Sequence, residues 1–442
     1  MSKKYLTLNA NNIPASGRVS FARGNPIITM TIGRQDARVD MSTLRLSGDL
    51  DIWRSAGGLA DNLRPTGNVG EAVELRGSHK LGIYSAIDQL VFRHAETKQV
   101  IEHIRHYGRF MSSYLPVQSG SQDIAGHLSR TALIMPNYQS YRDAIIRNTQ
   151  HSEFCIPLPS GMTLGGEMVP LRDVPLEIEI HLAPDSQFFY SSDGTTANIV
   201  NCFYELSNLE LTCEVEEGSP KLDSGSFSFN SITSYFSTLE STNSIVNFNL
   251  GLSKVLGAFV NFVPANFVNN LGQDGFLTYM PSLKTTGALA DGGGTLANLE
   301  RISFLRNGER FPQHFEVDSI RSSTNLTSVV DSQVIMGFMG AIIPATSHHR
   351  TTVGPETTNR NYQVSNAAST SNGYRFMPDT GACYGVGQLY DMLDSQGVDF
   401  SRAQFSIQMT NGLTDGNPTS AYLFIKSKVV VGYDQTGVQI VM

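Results

Sequence analysis

Leu176-Glu177-Ile178-Glu179-Ile180-His181-Leu182 alternates without a break between apolar and polar side chains. Successive side chains of an extended strand point to opposite faces, so a period of two describes a strand with one face buried and the other wet or partnered. Similar short runs, β-branched or aromatic and bounded by Gly, Pro, Asn and Asp, recur along the whole chain. They cover residues 26–32, 44–53 and 200–214 in the first half, then 226–232, 244–252, 258–263, 301–305, 405–409 and the closing 422–439. Helical spacing is confined to a few places. Residues 98–114 carry Val100, Ile101, Ile104, Tyr107, Phe110 and Met111 at helical intervals, with Pro116 expected to end the helix. Residues 138–148 and 384–393 hold weaker helical patterns. Because strands far outnumber helices and do not alternate with them, a parallel α/β sheet is set aside and antiparallel sandwiches with inserted short helices remain.

A chain of 442 residues is long for one domain and suits two of roughly 200 each. The most linker-like run, Glu216-Glu217-Gly218-Ser219-Pro220-Lys221-Leu222-Asp223-Ser224-Gly225, lies almost at the midpoint. Each half then has room for about eight strands and their loops, which is what a jelly roll needs. The expected division is an N-terminal arm over 1–17, a first sandwich over 18–217, a linker over 218–225 and a second sandwich over 226–442. Two long polar stretches, 285–299 with Asp291-Gly292-Gly293-Gly294 and 346–373, are expected to be loops that cover a surface or a subunit contact.

Charged residues make up only 16% of the chain, against roughly 25% in an ordinary soluble domain, and this low share fits surfaces that meet other protein. The net charge is −8 and neither half is basic, so no direct nucleic-acid binding is expected; Lys3 and Lys4 are the one small basic feature at the N terminus. Cys155, Cys202, Cys213 and Cys383 form no C-x-x-C pair and are expected as buried free thiols. Residues 1–12 lack the apolar core of a signal peptide, and no apolar run reaches the roughly 18 residues of a membrane span. The expectation is synthesis in a host cytoplasm or nucleus without a secretory route. The sequon Asn325-Leu326-Thr327 then stays unused.

Candidate chemistry is sparse. His103-Ile104-Arg105-His106 would place two imidazoles on one helix face, but no third metal ligand follows at a useful spacing, and His348-His349-Arg350 offers no more. Glu177 and Glu179 share a strand face, where a solvated or interface row is expected rather than a catalytic pair, and the same holds for Glu216 and Glu217. Gly161-Met162-Thr163-Leu164-Gly165-Gly166 lacks the Lys-Ser/Thr of a phosphate loop. No catalytic, cofactor-binding or metal-binding residue is nominated, no cofactor is expected, and no enzyme activity is assigned.

Several segments resemble the double-jelly-roll major capsid proteins of eukaryotic DNA viruses, the lineage of polinton-like viruses, virophages and large nucleocytoplasmic viruses. Phe154-Cys155-Ile156-Pro157-Leu158-Pro159, then Met168-Val169-Pro170-Leu171, then 176–182, is similar to the proline-rich passage near the end of that family's first barrel. There proline ends one ladder, a glycine-bearing loop crosses between sheets and the next strand closes the sandwich. Val398-Asp399-Phe400-Ser401-Arg402 resembles the family's Asn-Phe-Ser-Arg signature before the last two strands, with Asp399 in place of Asn. The resemblance implies that Phe400 plugs the core and that Arg402 pairs with a carboxylate or backbone carbonyls. Phe304 to Pro312 resembles a mid-barrel Asn-Gly hairpin, and residues 82–114, a strand followed by a helix, resemble the family's first-barrel insertion.

What the resemblance implies is an all-β fold of two tandem eight-stranded antiparallel jelly-roll sandwiches. Its expected role is a non-enzymatic virion protein whose homotrimers form pseudo-hexameric capsomers of an icosahedral shell. The expected partners are copies of itself, neighbouring capsomers, and penton and minor capsid proteins. The alternatives are a glycan-binding jelly-roll spike or a minor capsid protein. Against a glycan platform, Trp53 is the single tryptophan and lies in a strand-like run.

Overall fold

The computed structural model describes residues 2–55, 62–63, 75–78, 81–118, 128, 131–134, 152–166, 168–191, 201–218, 224–239, 244–264, 268–271, 276, 301–311, 317–318, 363–364, 374–375, 383–386, 397–410, 419–434 and 437–441. Every ladder among them is antiparallel. A seven-stranded sheet is built around the long strands Ala37–Ser55 and Cys202–Glu217, with Ser2–Asn9 on one flank and Ser152–Pro157 and Met168–Pro170 on the other. Facing it is a four-stranded sheet in the order Ile27–Ile32, Leu176–Leu182, Ile87–His94, Val100–Ile104. Their inward side chains, among them Val39, Leu46, Ile156 and Leu211 from one sheet and Met30, Phe92, Ile178 and Ile180 from the other, form one apolar cluster.

The second half repeats the arrangement with two five-stranded sheets. One contains Gly225–Leu239, Thr419–Asp434, Val255–Pro264 and Cys383–Val386, with Gly437–Val441 alongside; the other is built on Ser244–Phe248, Phe405–Thr410 and Arg301–Arg306. Between them Phe248, Phe304, Phe405, Leu423 and Ile425 pack as a separate core.

The alternating strand lies where its pattern puts it. Leu176, Ile178 and Ile180 are buried, while Glu177 pairs with Lys98 at 2.5 Å and Glu179 with Arg93 at 3.2 Å and with His181. Glu177 and Glu179 therefore line a partnered outer face. Asn307 and Gly308 take the left-handed conformation, φ 51° and 84°, that a two-residue hairpin turn requires. Phe400 is buried and meets Phe405 and Phe311 edge-on, so it does plug the second core. Asp399 suits this turn as well as asparagine would, because its carboxylate accepts the Ser401 amide at 2.8 Å.

Several expectations need correction. Residues 98–114 are not one helix: Val100–Ile104 is a strand paired with Ile87–His94, and the helix runs Tyr107–Gln118, through Pro116. The β-branched Val100, Ile101 and Ile104 favour the ladder, and His106 with φ 53° breaks the chain between the two elements. A proline in a last helical turn removes only one backbone donor. Residues 82–86 form a 3-10 turn before the strand of this insertion. Tyr384 belongs to the strand Cys383–Val386, not to a helix. The closing run 422–439 is two strands, Thr419–Asp434 and Gly437–Val441. The crossing between the sheets of the first sandwich follows Pro170, since Ser152–Pro157 and Met168–Pro170 both pair with Ala37–Ser55. Arg402 stays exposed; the guanidinium that engages the Phe400 turn is that of Arg306, which donates to the Asp399 carbonyl at 2.9 Å. Cys155 is an exposed thiol, whereas Cys202 and Cys213 are buried free thiols as expected. Residues 138–148, 285–299, 325–327 and 348–350 lie outside the described residues, and of 346–373 only Gln363–Val364, paired with Tyr374–Arg375, lies within them.

Candidate functional site at the seam between the sandwiches

Side chains of Thr419–Asp434 alternate between two buried environments. Ala421, Leu423 and Ile425 enter the second core, while Tyr422 and Phe424 join the apolar cluster of the first sandwich. Val255–Pro264 does the same, with Ala258 and Val260 on one side and Phe259 and Val263 on the other. A sheet covered on both faces reads as a continuous apolar run. The cover on the outer face is the helix Tyr107–Gln118. Phe110 lies 6.4 Å from Phe259 and 5.9 Å from Phe424, and those two rings stack at 5.1 Å. One apolar cluster therefore crosses from the first sandwich into the second.

Polar groups fix the register of this seam. Asn261 donates to Ser113 Oγ at 3.2 Å, and the Arg105 amide donates to Ser234 Oγ at 2.8 Å. The centre is Glu102. Its carboxylate is buried and accepts three backbone amides: Gly161 at 2.9 Å, Met162 at 3.0 Å and, from the second sandwich, Ile232 at 2.8 Å. Burial raises its pKa, and those three amides together with the Ser160 hydroxyl oppose that rise by stabilising the ionised form. The Gly161 and Met162 amides are free to point at Glu102 because they open a helical turn, Gly161–Leu164, capped reciprocally by Ser160 and Thr163. The glycine-rich stretch thus holds a protein carboxylate. The proline-rich passage is tied to the same region, since Tyr84 and Tyr107 donate to the carbonyls of Pro157 and Pro159.

The two histidines expected to share a helix face do not. His103 is on the strand and hydrogen-bonds Gln89 at 2.9 Å, while His106 packs against Tyr422 at 5.0 Å and Phe236 at 5.8 Å. Among the described residues no group of three His, Cys, Asp or Glu side chains could hold a metal ion. His103 has its pKa lowered to about 4 by burial, then by the charges of Arg105, His181 and Arg93. Burial lowers that of His106 too. The folded state keeps His103 neutral, so its contribution is present above the ordinary value near 6.5 and is lost as pH falls toward 4. Discounted for partial exposure, His103→Gln is expected to remove about 2 kcal/mol of the stability lost over that interval, read from urea unfolding at pH 7 and pH 4.5.

Lys3 and Lys4 do not form a free basic arm. Ser2–Asn9 pairs with Cys202–Glu217 along its whole length, Lys3 meets Glu214 at 2.5 Å, and Lys4 meets Glu217. No helix among the described residues is long and apolar enough to cross a membrane.

No protein-family model matches the sequence, and no curated protein matches it. Solved structures do. The PBCV-1 virus capsid aligns with 100% of this chain and 96% of its own at 12% identity and a TM-score of 0.54. The Sputnik virophage structure aligns with 100% of this chain and 88% of its own at 11% identity and a TM-score of 0.55. The Faustovirus major capsid protein aligns with 97% of this chain and 90% of its own at 9% identity and a TM-score of 0.52. At such identities the likeness establishes the fold, two jelly-roll sandwiches in tandem.

Proposed function

We propose that this chain is the major capsid protein of an icosahedral double-stranded DNA virus, three copies of which close into a pseudo-hexagonal capsomer. The observation that carries the reading is the seam: Glu102, Phe110 and Gly161 fasten one sandwich to the next, so that a single chain supplies two upright blocks in fixed relation. Three such pairs make a six-block tile, and a heterologous contact repeated by a closed rotation gives a ring. The likeness in fold to viral capsid proteins over essentially the whole chain supports the same reading.

In this role the protein resides in the virion shell, its partners are copies of itself, neighbouring capsomers, and penton and minor capsid proteins, and it carries out no catalysis. The proposed division is an arm over 1–17 and folding units over 18–217 and 226–442 joined by 218–225, with the arm's strand Ser2–Asn9 completing the seven-stranded sheet of the first unit. Negative-stain electron microscopy of the purified protein tests the proposal. Three-fold tiles with six lobes are expected; isolated two-lobed particles that bind a glycan array would overturn it.

A further inference from the structure

Away from the seam, Ser16, Arg18, Arg23 and Glu205 line a pocket of about 340 Å³ at the edge of the seven-stranded sheet. Glu205 is buried on the strand Cys202–Glu217 and is contacted by two guanidinium groups, Arg18 at 3.0 Å and Arg23 through its Nε. The strand partner of Glu205 is the buried Asp51, whose side chain lies on the same sheet face, so the two guanidinium groups stand against two carboxylates. Each guanidinium carries five N–H donors, more than the two oxygens of Glu205 can accept from the pair. The remaining donors are not sealed in the protein, because the two arginine side chains are 36% and 33% exposed.

Both arginines are also held in position from behind. Arg18 lies over the Trp53 ring at 5.1 Å and Arg23 over the Phe203 ring at 5.5 Å, and Trp53 and Phe203 are cross-strand partners. The turn that carries them is braced by Asn25, which donates to the Arg18 carbonyl at 2.8 Å and accepts the Ser20 amide at 3.0 Å. A planar fork of donors fixed before a ligand arrives is the arrangement that oxyanions are bound by, since little side-chain freedom is left to lose.

We propose that this pocket binds a small tetrahedral oxyanion of the phosphate class. The anion lies between the two guanidinium groups on the side away from Glu205, with the Ser16 hydroxyl available as a further donor. The site is independent of the capsid reading and stands or falls apart from it.

Isothermal titration of the full-length protein with inorganic phosphate, against sodium chloride and acetate at equal ionic strength, tests the proposal. Saturable phosphate binding in the millimolar range is expected, with no comparable response to chloride. Arg23→Gln should weaken it about tenfold through the loss of a charge-assisted contact. Glu205→Gln should tighten it, because the competing carboxylate is gone; if that variant does not fold, Arg23→Gln decides alone. Absence of phosphate binding, acetate binding as tightly as phosphate, or an affinity that Arg23→Gln leaves unchanged would overturn it.

Discussion

Glu102→Ala is expected to lower the unfolding free energy by about 4 kcal/mol, the range measured when one partner of a buried charged network is removed. The substitution leaves the amides of Gly161, Met162 and Ile232 without their acceptor in a place that water does not reach. Each stranded donor costs about 1–3 kcal/mol, partly offset because a carboxylate no longer has to be buried. Glu102→Gln keeps one acceptor oxygen and should cost about half as much. The loss should also change how the protein unfolds. Trp53, the single tryptophan, belongs to the first sandwich, so its fluorescence follows that half while circular dichroism follows both. The two urea curves should coincide in the parent protein and separate in Glu102→Ala, since the seam is what makes the halves unfold together. Coincident curves and a change under 1 kcal/mol would mean that the carboxylate is not what joins them.

The second large effect is expected from a single methyl group. A Cβ on Gly161 would lie 2.2 Å from the Asn230 carbonyl oxygen, 2.5 Å from Glu102 Oε1 and 2.6 Å from Ser231 Cα. Two of these neighbours are backbone of the facing strand Gly225–Leu239, so no side-chain rotation relieves the clash and the sandwiches must move apart. Gly161→Ala should therefore cost about 3 kcal/mol, at the upper end of overpacking effects. Because the movement also stretches the bonds to Glu102, the double variant Glu102→Ala, Gly161→Ala should fall well short of the sum of the two. Equilibrium urea unfolding of the two single variants and the double variant measures that coupling. Simple additivity would show that the glycine and the carboxylate act separately.

Much of the fold could be read from the sequence because local pattern and tertiary environment agree. Leu176–Leu182 has one apolar face and one core to bury it in, and Asn307-Gly308 needs only its own backbone preferences to turn. Residues 98–114 misled because Val100, Ile101, Ile104 and Tyr107 recur at helical intervals, while the strand state of 100–104 rests on pairing with a strand that the segment itself does not encode. The seam was harder still. Glu102 sits between two ordinary strand residues, and its role comes from amides contributed 59 and 130 positions away. One sign was present: 258–263 and 422–425 are apolar or nearly so at consecutive positions, which marks strands buried on both faces and so a sheet with something packed on each side. The Arg18, Arg23 and Glu205 cluster left no such sign, since its members are brought together only by the pairing of 18–19 with 206–207.

Light scattering coupled to size exclusion at micromolar concentration tests the central claim most directly, because a tile built from paired sandwiches requires a closed ring of chains. A single species of roughly three times the 48.3 kDa chain mass is the predicted result. A species that stays at one chain mass across the whole concentration range would contradict it.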